Sequence, residues 1–214
     1  MVLPLITLII DLNVSAIERY IKKGLDVNIL DRYHDSPLHC IFYEWEIVEH
    51  RPAIRQIFKM LIQAGADPNA KNEYNSVPLI SAITYAEPVQ MLLDAGADPT
   101  IQNKFGTSPL SSAIYQRKFD IVKMLVAAGA RLETVSIRKV YTSTLHNDKI
   151  TKWLLANGIQ LDLDFILEHY FTFKDEIIDN IIKKQQWKVI PYLPPCSHQY
   201  FPAPIVKAAL KHLI

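Results

Sequence analysis

Apolar residues recur along this chain in two alternating kinds of segment. The first kind opens on a proline and a leucine, as in Asp35-Ser36-Pro37-Leu38-His39-Cys40-Ile41, Ser76-Val77-Pro78-Leu79-Ile80-Ser81-Ala82-Ile83 and Thr107-Ser108-Pro109-Leu110-Ser111-Ser112-Ala113-Ile114. The second kind ends on a glycine, as in Met60-Leu61-Ile62-Gln63-Ala64-Gly65, Met91-Leu92-Leu93-Asp94-Ala95-Gly96 and Met124-Leu125-Val126-Ala127-Ala128-Gly129. Each kind predicts a helix. Proline is accommodated in a first helical turn because its missing N–H would have been unpaired there, and Ser36 and Ser108 stand where a side-chain oxygen can cap that turn. In the second segments Ile121, Met124 and Leu125 fall at helical spacing, so one face is apolar. A glycine then supplies the left-handed conformation that ends a helix at little steric cost.

The spacing between proline and glycine shows where units differ. Pro4 to Gly24 and Pro109 to Gly129 are both 20 positions, whereas Pro37 to Gly65 is 28 and Pro78 to Gly96 is 18. Both departures fall between the two predicted helices, where length can change without moving the packed faces. All six glycines have a place in this scheme: Gly24, Gly65, Gly96, Gly129 and Gly158 close second helices and Gly106 sits in a hairpin. None is left for a phosphate-cradling loop.

Over residues 31–132 these segments resemble the ankyrin repeat, with its Thr-Pro-Leu-His helix start and its Gly-Ala-Asp turn after the second helix. The likeness reaches back to Pro4, 33 positions before Pro37, so the first unit is read as truncated. A fifth unit ends in Ile150 to Gly158, but its first half, Val135 to Asn147, lacks the proline start and reads as degenerate. The resemblance implies an all-α fold: a solenoid of paired antiparallel helices with short β-hairpin fingers and a helical C-terminal cap. Residues 1–161 are expected to form the repeats and residues 162–214 the cap or tail. In that tail Phe165 to Phe173, Glu176 to Lys184 and Ile205 to Ile214 have helical spacing, separated by Pro191, Pro194, Pro195, Pro202 and Pro204.

The same resemblance implies a non-enzymatic scaffold that binds a partner protein through its fingers and the concave surface of its first helices. A second reading starts from Pro191-Tyr192-Leu193-Pro194-Pro195, which with the following helix resembles the F-box-like or SOCS-box tails of some ankyrin proteins. On that reading the chain is an adaptor that recruits ubiquitin-ligase machinery to a bound target. A compact chain with eroded repeats and its own tail also resembles secreted ankyrin effectors of intracellular bacteria, or viral ankyrin proteins. A cytoplasmic location, or a host-cell intracellular one for an effector, is the matching expectation.

Composition narrows the classes. Half of the 214 residues are hydrophobic and 21% charged, which fits a folding chain rather than a disordered one. Lys and Arg number 23 against 22 for Asp and Glu, so no net field gathers nucleic acid or an anionic membrane, and neither is expected as a partner. A monomer is expected. The apolar run from Val2 to Ile10 lacks a basic leader and meets Asp11 before it could span a bilayer. Cys40 and Cys196 form no disulfide or zinc spacing, and Cys196-Ser197-His198 has no second ligand pair, so no metal and no cofactor are expected. No nucleophile elbow or metalloprotease motif occurs, and no catalytic residue is assigned.

The candidate partner-binding residues are Tyr33, His34, Tyr43, Trp45, Tyr74, Phe105 and Tyr115. Tyr33, Tyr74 and Phe105 occupy the same place in successive fingers and would form an exposed aromatic row, or else brace neighbouring fingers. Tyr43 and Trp45 lie in the extra length between Pro37 and Gly65, which either adds specificity or lengthens the first helix with Trp45 and Ile47 tucked against the next unit. His39 takes the family's histidine position, where the resemblance implies backbone hydrogen bonding and no catalysis.

Overall fold

A computed structural model of the chain describes residues 4–42, 45–132, 148–159, 161–162 and 187–188. The chain divides into two compact units, Met1–Ala130 and Arg131–Ile214. The boundary expected after residue 161 falls inside the second of these.

In the first unit every proline-opened segment is a short helix and every glycine-closed segment a longer one, in the order α1 (Pro4–Ile10), α2 (Val14–Lys22), α3 (Pro37–Cys40), α4 (Arg51–Gln63), α5 (Pro78–Ser81), α6 (Ala86–Asp94), α7 (Pro109–Tyr115) and α8 (Phe119–Ala127). Helices pack within pairs, α1 on α2, α3 on α4, α5 on α6 and α7 on α8, while first helices also pack in series, α1 on α3, α3 on α5 and α5 on α7. The residue after each helix-opening proline is the common contact: Leu5, Leu38, Leu79 and Leu110 are all buried. Removing each such leucine from water is worth about 1.5–3 kcal/mol, and only the neighbouring pair makes that burial complete.

Local stereochemistry accounts for the helix ends. Ser108 accepts from the Ser111 N–H at 3.1 Å and Ser111 Oγ accepts from the Ser108 N–H at 2.9 Å, a reciprocal cap of the first turn. At the other end Gly65, Gly96 and Gly129 adopt φ of +90°, +89° and +97°. The next residue then donates back into the helix, Ala66 to Leu61, Ala97 to Leu92 and Ala130 to Leu125, each at 2.9 Å.

Changes in length are taken up away from the buried leucines. Against the unit of α7 and α8, α4 is longer, 13 residues to nine, α3 is shorter, four to seven, and the longer connection between them ends in a 3-10 turn, Val48–His50. The first helix is not lengthened, contrary to one of the sequence readings. In the shortened third unit α5 runs through a 3-10 turn, Ala82–Thr84, into a single extended residue, Tyr85, before α6 begins.

The fingers differ from the expected β-hairpins. Each is a tight turn whose arms exchange one backbone bond, Asp31 N–H to Asp35, Asn72 N–H to Ser76 and Asn103 N–H to Thr107, all at 3.0 Å. The side-chain oxygen of the first residue takes two further N–H groups: Asp31 accepts from Tyr33 and Asp35, Asn72 from Tyr74 and Ser76, and Asn103 from Phe105 and Thr107. Donors that a strand partner would have used are thus satisfied by side chains, and no ladder forms.

Two further sets of bonds join successive units. Asn28 donates to the Gly65 carbonyl at 2.9 Å and accepts from the Asp67 N–H at 2.8 Å, and Asn69 repeats this on Gly96 and Asp98 at 3.1 and 2.7 Å. His39, buried in α3, accepts at Nδ1 from the Ser36 N–H at 3.1 Å, which leaves Nε2 to donate to the Ser76 carbonyl at 2.9 Å. The imidazole therefore has the backbone-bonding role that the resemblance implied.

In the second unit, α9 (Asp148–Ala156) buries Ile150 and Leu154, and Gly158 has φ +88°, with Ile159 bonding back to Leu154 at 3.1 Å. This repeats the glycine-closed ending. Two short parallel strands, β1 (Leu161–Asp162) and β2 (Trp187–Lys188), pair there, and no other strand occurs among the described residues. The proline-rich segment around Pro191–Pro195 and the rest of the proposed cap lie outside the described residues, as do Cys196 and His198.

Two expectations follow. Burial, the largest influence on His39, holds its pKa below the ordinary 6.5 despite the opposing Ser76 bond and the Asp35 and Asp31 charges. The unfolded chain then binds a proton first, so stability is full above pH about 6.5 and falls as acid takes the solution from there down through the folded pKa. Denaturant titrations at stepped pH should show this loss, and His39→Gln should flatten it. At the finger tip His34 is held at φ +58° where its counterpart Gly106 has +68°; His34→Gly should raise unfolding free energy by about 0.5–1 kcal/mol, measured by urea denaturation.

Candidate protein-binding surface

The three finger turns place their third residue at the tip. Tyr33 is 51% exposed, Tyr74 50% and Phe105 65%, so each ring is held on a rigid turn with about half or more of its surface in water. Tyr74 and Phe105 stack on each other with ring centroids 6.2 Å apart and planes inclined by 29°. The Lys104 N–H donates to the Tyr74 carbonyl at 2.9 Å and Asn72 Nδ2 donates to Asp35 at 2.8 Å, which join consecutive fingers directly. Tyr74 and Phe105 are therefore both exposed and braced on each other, combining the two readings that the sequence left open, while Tyr33 is exposed. Arg32 lies over the Tyr33 ring at 4.6 Å. The Glu73 carboxylate accepts from the Tyr74 hydroxyl and holds its pKa above the usual tyrosine value, so the ring stays neutral.

The remaining sequence candidates fare differently. His34 is exposed beside Tyr33, with its backbone N–H donated to Asp31 at 3.0 Å. Tyr115, 68% exposed, ends α7. Tyr43 lies outside the described residues. Trp45 requires correction: with 1% of its surface exposed it offers nothing to a partner. Its ring meets Phe42 edge-on at 5.9 Å, and the guanidinium groups of Arg51 and Arg55 lie 5.7 and 5.6 Å from its centroid. Arg51 Nε also donates to the Trp45 carbonyl at 3.1 Å. Packing an indole against one aromatic and two cationic neighbours outweighs any benefit of displaying it.

Sequence reasoning missed several groups that the structure brings together. Arg55 and Glu87 form a bidentate pair across α4 and α6 at 2.5 and 3.0 Å, which pulls the Glu87 pKa down. Tyr85 donates its hydroxyl to Glu46 at 2.9 Å, tying the inserted connection to the following unit. The asparagine links could have been anticipated from the recurring Asp26-Val27-Asn28 and Asp67-Pro68-Asn69; the Arg55–Glu87 pair carries no comparable sequence signal.

The Cys40 thiol is buried and pushed up to about 12 by loss of solvent, which keeps it protonated and a poor nucleophile at neutral pH. Among the described residues no group of three or more His, Cys, Asp or Glu is arranged to hold a metal ion, and no helix is long and apolar enough to cross a membrane.

The burial of Trp45 sets a quantitative expectation. Trp45→Ala should lower unfolding free energy by about 3–5 kcal/mol. A loss below about 1 kcal/mol, the scale of a surface substitution, would mean that the ring is displayed rather than packed.

Comparison with curated proteins found no match. A family model described as ankyrin repeats, however, matches residues 45–136 in three copies. That span contains the proline-opened helices α5 and α7, the glycine-closed helices α4, α6 and α8, and the turns carrying Tyr74 and Phe105. Ankyrin repeats generally mediate protein–protein interaction and typically serve as non-enzymatic scaffolds. Residues 45–136 are thus ankyrin repeats.

Proposed function

We propose that this chain captures a partner protein on a surface formed by the finger tips and the exposed positions of the first helices, with Tyr33, Tyr74 and Phe105 as anchors and His34 and Tyr115 beside them. The observation that carries the reading is the repetition of an exposed aromatic ring at one position of three successive turns. Three such rings by accident would be a standing cost in solubility, whereas rigid aromatics supply contact area with little conformational entropy to lose. The backbone beneath them is already fixed by the Asp31, Asn72 and Asn103 side chains, so binding need not order the turns. On this reading the stacked helix pairs are a solenoid whose fingers project from one edge.

The test is the triple variant Tyr33→Ser/Tyr74→Ser/Phe105→Ser. Partner capture should be abolished while the melting temperature changes little, because none of these rings is in the core. Retained capture by a folded variant would remove the proposal.

A further inference from the structure

A second surface lies at the opposite end of the helix pair from the finger. The inserted connection between α3 and α4 turns Trp45 inward and then presents Ile47 and Val48 outward, 41% and 61% exposed. Scattered surface aliphatics are ordinary. Here two are adjacent, in a segment that units of standard length lack, and the backbone carrying them is pinned. Trp45 is buried below, Arg51 Nε holds the Trp45 carbonyl, the His50 N–H closes on Ile47 at 3.0 Å, and Tyr85 clasps Glu46 from the next unit.

Charge identifies what such an edge fits. Glu46 and Glu49 flank the aliphatic pair and are both exposed. The neighbouring cations are engaged elsewhere: Arg51 packs on Trp45 and Arg55 forms the bidentate pair with Glu87. The edge is therefore apolar at its centre and acidic on both sides. Another copy of the same edge would set carboxylates against carboxylates, and an anionic lipid surface would be repelled in the same way. We propose that Glu46, Ile47, Val48 and Glu49 form a docking edge for a basic segment of a partner protein, one in which Lys or Arg residues flank an apolar side chain. The aliphatic pair supplies burial and the glutamates select for positive charge. This edge is independent of the finger row and stands or falls separately from it.

The experiment selects a random linear peptide library on the full chain and measures the recovered peptides against three variants. Selected sequences should be enriched in Lys and Arg around an aliphatic or aromatic residue. Their affinity should fall about tenfold or more in Ile47→Ser/Val48→Ser, where the contact is removed from an exposed site without disturbing the core. In Glu46→Gln/Glu49→Gln it should also fall, and its dependence on salt between about 0.05 and 0.3 M should flatten. The triple finger variant should bind these peptides unchanged. Recovery of no peptide, recovery without basic enrichment, indifference to the Ile47/Val48 change, or equal loss in the finger variant would each overturn the proposal. So would sedimentation showing that the pair instead holds a dimer that the serine variant dissolves.

Discussion

Leu5, Leu38, Leu79 and Leu110 are buried because another helix pair lies against each of them, and the architecture of the first unit depends on that repeated contact. A first helix as short as α3 or α5 has a single turn and no stability of its own. Proline pre-sets its opening dihedral and the leucine behind it anchors the turn to the neighbouring pair. The leucine series and the glycine-closed second helices thus form one continuous apolar layer that no isolated pair could complete. Hydrogen bonds follow the same logic: His39 to Ser76, Asn28 to Gly65 and Asn69 to Gly96 all run from one unit to the next.

That constraint leaves two places free to vary, the finger tips and the connection between helices, and both carry the proposed contacts. At the tips, turn geometry is satisfied internally by Asp31, Asn72 and Asn103, so the residue displayed there answers to other demands and is aromatic three times over. In the second unit of the array α4 and the connection before it are both longer, and the connection folds around Trp45. The insertion is consequently a small structured element with its own aromatic and cationic packing. Its outward residues differ in chemistry from the finger row, being aliphatic and acidic where the tips are aromatic, which gives one scaffold two distinguishable surfaces.

Much of this was legible in the residues, because helix starts and stops are governed by local stereochemistry. Pro37, Pro78 and Pro109 open helices, and Gly65, Gly96 and Gly129 close them, for reasons contained within a few neighbouring positions. The exposure of Tyr33, Tyr74 and Phe105 was legible too, since a turn tip has few neighbours able to cover it. The absence of strand ladders in the fingers was less so: Asp31, Asn72 and Asn103 could be named as turn residues, but their capture of two donors each is a matter of side-chain geometry.

Trp45 marks the boundary between the two kinds of knowledge. Among Glu44, Glu46 and Glu49 the sequence allowed either a displayed aromatic or Trp45 and Ile47 both tucked inward; the ring is buried, whereas Ile47 and Val48 are outside. Spacing along the chain determined that extra length would fall between the helices, because only there could it be inserted without breaking the leucine series. Which side of that length faces inward was decided by Phe42, Arg51 and Arg55, side chains from different elements that converge on one ring only after α3 and α4 have packed.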